Sequence, residues 1–225
     1  MRIATDAELV TFNNWTLRFK PSASSLSEVE GPKRLLLLLH GWTGDENSMW
    51  VFAKDLSTDY WIVAPRAPHP AQSSGYSWRP PQPGTFGWPS LETLKPAADE
   101  LISFVDAYSS SVRVDARQFD VIGFSQGAAM SNVLALLYPH RIRKAGVLAG
   151  FVPSGLEEVI AARPLAGKPF FVAHGTQDEM VPVDCARTSI ELLEQAGAQV
   201  TYCEDKVGHK VSANCLRALK EFFKD

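Results

Sequence analysis

The chain's 225 residues fall within the size of one α/β domain and suffice for a substantial core. With 45% hydrophobic and 21% charged residues its composition is ordinary globular, and a net charge of −3 without any basic block excludes nucleic acid or an anionic membrane as an expected partner. No apolar run reaches the roughly 18 residues of a transmembrane helix, and residues 1–10 include Asp6 and Glu8 where a signal peptide would be apolar.

In chain order, residues 10–20 alternate loosely between apolar and polar, an edge hairpin turning at Asn13 and Asn14. Residues 22–32 are a polar surface loop. Leu35, Leu36, Leu37, Leu38 and Leu39 follow; their short run and the stop at His40-Gly41 indicate a central parallel strand buried on both faces. Residues 47–56 fit a helix and 60–64 a strand ended by Pro65. The stretch 66–90 is different in kind. Seven of the chain's 15 prolines lie between positions 65 and 89, together with Tyr76, Trp78, Phe86 and Trp88. That is too proline-rich for a helix and too aromatic for a disordered linker, so it is either a rigid structural loop or a functional one.

From Thr93 onward Leu94, Ala97, Ala98, Leu101, Val105 and Tyr108 share a helical face, with Pro96 expected in the first turn. A strand to Gly123, a helix to Tyr138, a strand at 144–149, a helix at 154–163 and a strand at 169–173 come next. Asp184 is the expected N-cap of a helix at 185–196 closed by Gly197. A strand at 199–203 and a helix at 211–223, burying Val211, Cys215, Leu219 and Phe222, complete the series. This alternation implies an α/β fold, a mostly parallel central sheet with helices on both faces, and a single domain over 1–225 with a Pro/aromatic-rich loop at 66–90. Cys185, Cys203 and Cys215 are odd in number and lack a Cys-x-x-Cys pair. They read as small buried hydrophobes rather than a disulfide framework or zinc site, so a soluble protein of the reducing cytoplasm is expected.

Gly123-Phe124-Ser125-Gln126-Gly127 is a Gly-x-Ser-x-Gly sequence fed by an apolar strand and left by a run of small and apolar residues. Strand, sharp turn and helix together raise the serine hydroxyl above the sheet edge, while the glycines permit the close passage of strand and helix. In a parallel sheet the chemistry sits at the carboxyl ends of the strands. Three further strand ends carry polar residues: 40–45, 174–178 and 207–209. The first is a Gly-containing turn able to supply one oxyanion donor, with the Gln126 N–H as the other.

Of the five histidines, His40 and His174 sit where a ring braces a Gly turn, His140 follows a helix end, and His69 lies in the Pro-rich loop. His209, after the last strand and beside Gly208, is left as the base. Asp178 fits the acid, four residues past its strand. Glu179 should point the other way, Asp184 suits a helix cap, Asp205 lies too near the final strand, and Asp120 lies inside the elbow strand. The order Ser125, Asp178, His209 is the nucleophile–acid–base order of α/β-hydrolases.

With His-Gly at 40–41, His-Gly-x-x-Asp at 174–178 and Gly-His at 208–209, the chain resembles the phospholipase/carboxylesterase family of α/β-hydrolases, over roughly residues 34–223. That family includes acyl-protein thioesterases and small bacterial esterases. The resemblance implies Ser125, Asp178 and His209 as the triad and the backbone N–H groups of Trp42 and Gln126 as oxyanion donors. Two departures stand out: Thr43 where the family often has Gly, and Arg79-Pro80-Pro81 after Trp78 where it often has an acidic residue.

The expected activity is therefore hydrolysis of short to medium acyl esters or thioesters through an acyl-enzyme, with a small-molecule ester or thioester as partner and no metal or organic cofactor. Tyr76, Trp78, Phe86 and Trp88 are the expected pocket wall. A catalytically silent scaffold serving as a small-ligand receptor, and a peptidase or lactonase on the same fold, are the alternatives. Dinucleotide binding is excluded because no Gly-x-Gly-x-x-Gly follows the first core strand.

Overall fold

Alternation of apolar and polar side chains, broken by Asn13 in the left-handed region (φ 50°), folds β1 (Glu8–Phe12) and β2 (Trp15–Lys20) into the expected antiparallel hairpin. A computed structural model describes residues 6–22, 34–54, 56, 59–81 and 88–224, so most of the expected loop at 22–32 lies outside the described residues. The all-leucine stretch becomes β3 (Arg34–Leu39), lying between β4 (Tyr60–Pro65) and β7 (Phe119–Phe124), parallel to both. Period-2 alternation sends Leu35, Leu37 and Leu39 into one core layer and Leu36 and Leu38 into the other. Both faces are covered, which is why an uninterrupted leucine run is stable here. With β8 (Ile142–Leu148), β9 (Pro169–Gly175) and β10 (Gln199–Asp205), the sheet has eight strands in the order β1-β2-β4-β3-β7-β8-β9-β10. Within this sheet, among the described residues, antiparallel pairing is confined to the β1-β2 and β2-β4 contacts.

The helices depart from expectation in instructive ways. α1 spans only Trp50–Ala53 rather than 47–56. Upstream, Asp45 Oδ1 accepts the Asn47 N–H at 2.9 Å and the Ser48 hydroxyl at 3.0 Å, giving the backbone a local turn in place of a helix. Helix α2 (Leu91–Val112) starts earlier than its apolar face suggests, because Ser90 and Thr93 form a reciprocal capping box. Pro96 therefore falls in the second turn, not the first, and removes one i→i−4 hydrogen bond. The helix expected at 154–163 is the short α4 (Glu157–Ala161), and α5 (Val183–Gln195) is capped by Pro182, with Asp184 inside its first turn. Between β4 and α2, the Pro-rich segment folds a small hairpin, β5 (His69–Pro70) with β6 (Tyr76–Ser77). In α6 (Ala213–Phe222) the buried residues are Cys215 and Leu219, with Phe223 fully buried just beyond the helix, while Phe222 is half-buried.

At the amino end of β7 the sheet holds a charge. Asp120, 1% exposed, accepts from the Tyr60 hydroxyl at 2.5 Å, pairs with Arg143, and accepts the Lys144 N–H at 3.2 Å. Burial and the neighbouring carboxylate together push the Tyr60 phenol above its ordinary pKa. Asp120→Ala removes the shared acceptor of a buried hydroxyl and a guanidinium and should cost about 3 kcal/mol, read from a urea unfolding midpoint.

Candidate active site

Helix α3 (Gln126–Leu137) is buried from Gln126 through Leu136 and packs against β7 and β8. Its approach to the sheet is possible only without side chains at two positions. A Cβ on Gly123 would lie 2.1 Å from the Gly127 carbonyl oxygen, and one on Gly127 would lie 2.1 Å from that of Leu39. Between them Ser125 sits at φ 54° and ψ −116°, a backbone state costing about 1–3 kcal/mol that persists because strand and helix enforce it.

Two loops meet this turn. The segment after β9 places Asp178 with its carboxylate fully buried, and the segment after β10 places His209 with its side chain 16% exposed. The loops are tied together: the Thr176 N–H donates to Asp205 O at 2.9 Å and the Gln177 N–H to Val207 O at 3.0 Å. Asp178 Oδ1 accepts from the Met180 and Val181 N–H groups, both at 2.9 Å, which leaves Oδ2 to accept from His209 Nδ1 at 2.7 Å. Because a carboxylate only accepts, Nδ1 carries the proton and Nε2 is bare. The Ser125 hydroxyl donates to that Nε2 at 3.0 Å.

The other strand-end histidines are braces. His40 Nδ1 donates to Gly41 O at 2.7 Å and its Nε2 accepts the Ala67 N–H at 3.0 Å. Burial holds its pKa below the ordinary value, as it does for His174, whose Nε2 donates to Val181 O at 2.7 Å. Glu46 anchors the same loop. Burial would raise its carboxyl, but hydrogen bonds from Arg66 at 2.7 and 3.0 Å hold it below the usual range.

Ser125 opens onto a cleft lined by Trp42, Arg79, Trp88, Pro89, Gln126, Phe151 and Val181. Trp42 and Gln126 thus border the serine, and the Gln126 N–H, at the first helical position, has no carbonyl one turn back to receive it. Thr43 adopts φ 66°, a region that favours glycine, and its N–H donates to Tyr76 O at 3.0 Å. Of the expected pocket wall, Trp88 lines the cleft, its ring edge-on to Phe151 at 4.5 Å. Trp78 does not: it is fully buried and its Nε1–H donates to His40 O at 2.8 Å, so it pins the loop from beneath. Tyr76 stands beside Arg66, whose guanidinium lies 4.5 Å from the ring centroid, and is likewise absent from the lining. Phe86 lies outside the described residues. Arg79, Phe151 and Val181 were not among the expected wall; Phe151 and Val181 follow strand ends, which was the available signal. A larger hollow of about 410 Å³ at the opposite end of the sheet, beside Asp120 and Arg143, has no serine, cysteine or histidine in its described lining. Among the described residues no cluster of three or more His, Cys, Asp or Glu could hold a metal ion.

One expectation is overturned. Cys203 and Cys215 form a disulfide, with Cα atoms 5.6 Å apart across 12 positions of sequence. They are joined because α6 packs back on the sheet face toward which Cys203 points, which spacing alone does not reveal. His209 lies inside the loop this bond closes. Reduction should lower stability by about 2–4 kcal/mol, checked by the thermal midpoint with and without dithiothreitol.

The parallel sheet, the serine at a strand–helix elbow and the histidine after the last strand define an α/β-hydrolase. Solved structures agree on the fold: a Bacillus cereus carboxylesterase superposes with a TM-score of 0.79 at 23% identity, over 98% of this chain and 94% of that one. The phospholipase/carboxylesterase family model matches residues 26–225, and the chain belongs to that family. It is 32% identical over 110 residues to the carboxylesterase SOBER1 of Arabidopsis thaliana, a stretch that is 46% of each chain. It is 24% identical to acyl-protein thioesterase 1 of Kluyveromyces lactis over 75% of this chain and 80% of that protein. The chain thus spans about half the length of the first of these relatives. No helix among the described residues is long and apolar enough to cross a membrane.

Proposed function

We propose that residues 1–225 act as a single-domain serine carboxylic-ester hydrolase on short to medium acyl esters or thioesters. The observation that carries this reading is the continuous hydrogen-bond chain from Ser125 Oγ through His209 to Asp178. As the Ser125 oxygen attacks the carbonyl carbon, its proton passes to His209 Nε2, and Asp178 stabilises the resulting imidazolium. The N–H groups of Trp42 and Gln126 hold the negative charge that develops on the carbonyl oxygen. His209 then protonates the departing alkoxide or thiolate, leaving an acyl group on Ser125. Water, deprotonated by His209, attacks the acyl carbon, and His209 returns that proton to Ser125 Oγ as the acyl–oxygen bond breaks and the acid leaves. The family membership and the carboxylesterase and thioesterase names of the relatives support the choice of bond.

A fluorophosphonate probe should label Ser125, and short-chain nitrophenyl esters should be cleaved; if neither happens the reading is wrong. Rates on matched ester, thioester, lactone and amide substrates rank the scissile bonds. The cytoplasmic setting expected from the sequence and the Cys203–Cys215 bond pull in opposite directions, since such bonds persist in oxidising compartments. Rapid thiol trapping in cells decides: three reactive thiols in the unfolded chain fit the cytoplasm, and Cys185 alone fits an oxidising compartment.

A further inference from the structure

Gln126 opens α3 and is buried, and the acyl-transfer scheme uses only its N–H. Its side-chain amide reaches across to the segment that begins at β6. Oε1 accepts the Trp78 N–H at 2.9 Å, and Nε2 donates to the Ser77 hydroxyl oxygen at 3.2 Å. A backbone N–H can only donate, so the atom facing Trp78 is the amide oxygen, and the orientation of the group is fixed. The Ser77 hydroxyl in turn donates to Arg79 O at 2.8 Å.

The segment that Gln126 holds is the one that holds the Trp42 turn. Tyr76 O accepts the Thr43 N–H at 3.0 Å, and the Tyr76 N–H donates to Gly44 O at 2.9 Å. On the other side of Trp42, the Trp78 Nε1–H donates to His40 O at 2.8 Å. Backbone on both sides of Trp42 is thus bonded to residues 76–78. The large sheet does not do this, because β3 ends at Leu39 and β7 at Phe124. The separation matters, since a donor stabilises the developing oxyanion only within about 2.7–3.1 Å of where that oxygen will lie.

We propose that the Gln126 side chain is a positioning group that sets the separation of the two oxyanion donors. Its main chain carries one donor. Its amide, through Trp78 and Tyr76, holds the turn that carries the other. This deepens the serine-esterase reading and rests on it.

Gln126→Met keeps the side-chain length and the N–H but deletes both amide contacts. It should lower kcat on nitrophenyl butyrate by about tenfold to a hundredfold, with KM little changed. A merely structural role would not move the affinity for a trifluoromethyl ketone of matching alkyl chain. Ser125 Oγ adds to the carbonyl carbon of that ketone, the serine proton passes to His209, and a charged oxygen is left in the hole. Its affinity should weaken by the same factor as kcat/KM, while the matching secondary alcohol, which forms no such oxygen, should bind as it does to the wild type. Trp78→Phe removes only the bond to His40 O and should show a smaller loss of the same kind. Combined with Gln126→Met it should cost less than the product of the separate effects, because both act on one turn. If Gln126→Met fails to fold, Trp78→Phe and Ser77→Ala carry the test with the same two inhibitors. Unchanged ketone affinity in the folded variants, or ketone and alcohol weakened alike, overturns the role of the amide and leaves the esterase reading intact. A wild type that cleaves no ester and takes up no fluorophosphonate removes both.

Discussion

Ser125→Ala is expected to lower kcat on a nitrophenyl ester by on the order of 10⁶, as loss of the nucleophile does in serine hydrolases that use a comparable triad. Folding should survive. The substitution deletes one hydroxyl whose partner, His209, keeps its bond to Asp178, and alanine meets the same backbone strain at φ 54° as serine does. A change in unfolding free energy within about 1 kcal/mol is therefore expected. His209→Ala should lose similar activity but more stability, because it strands a fully buried carboxylate oxygen, at about 1–3 kcal/mol. The double variant should be no slower than either single one, since the two residues act as a unit. Multiplicative losses in kcat would mean that they act separately, and the array would then not be a triad.

Asp178→Asn should reduce kcat by about 10⁴ with little change in KM. The reason lies in the two backbone donors. The Met180 and Val181 N–H groups will hold the amide oxygen where Oδ1 now sits, which turns the NH₂ toward His209. Facing a donor, Nδ1 must accept, so the ring proton moves to Nε2 and the Ser125 hydroxyl loses its acceptor. Asp205→Asn is the control. Its Oδ1 accepts from the Lys206 N–H at 2.8 Å, while the His209 Nδ1 proton goes to Asp178, so kcat should stay near wild type. If Asp205→Asn is inactive and Asp178→Asn is not, the acid has been wrongly assigned.

The parts of the fold that could be read from the residues are those where local pattern and long-range packing make the same demand. Gly123 and Gly127 are glycines because neighbouring carbonyl oxygens occupy the space of a Cβ, so their spacing around Ser125 reports the elbow directly. Leu35 to Leu39 are leucines because both sheet faces are covered. His209 could be found because a strand end in a parallel sheet has one destination. Where side chains compete for the backbone, pattern misled: Asp45 and Ser48 replace most of the helix at 47–56 with a turn, and the Ser90–Thr93 capping box moves Pro96 inward. Trp78 looked like pocket wall because an aromatic in a long loop has no periodicity to show its direction. Its Nε1 finds the His40 carbonyl, and that settles it beneath the surface. The Cys203–Cys215 pairing was invisible for the same reason as the cleft lining, since both depend on which elements the sheet order brings together.

The bond between Cys203 and Cys215 also changes what a single cut in the backbone means. Lys206 and Lys210, both exposed, flank His209 within the closed loop. Trypsin acting at either one severs the peptide chain but not the molecule: the two fragments migrate as one species until a reductant is added. A nick at this edge of the cleft therefore leaves α6, with Leu219 and the neighbouring Phe223, covalently moored to the strand it covers. The residue most exposed to such damage is His209, the base itself, while the sheet behind it is held together.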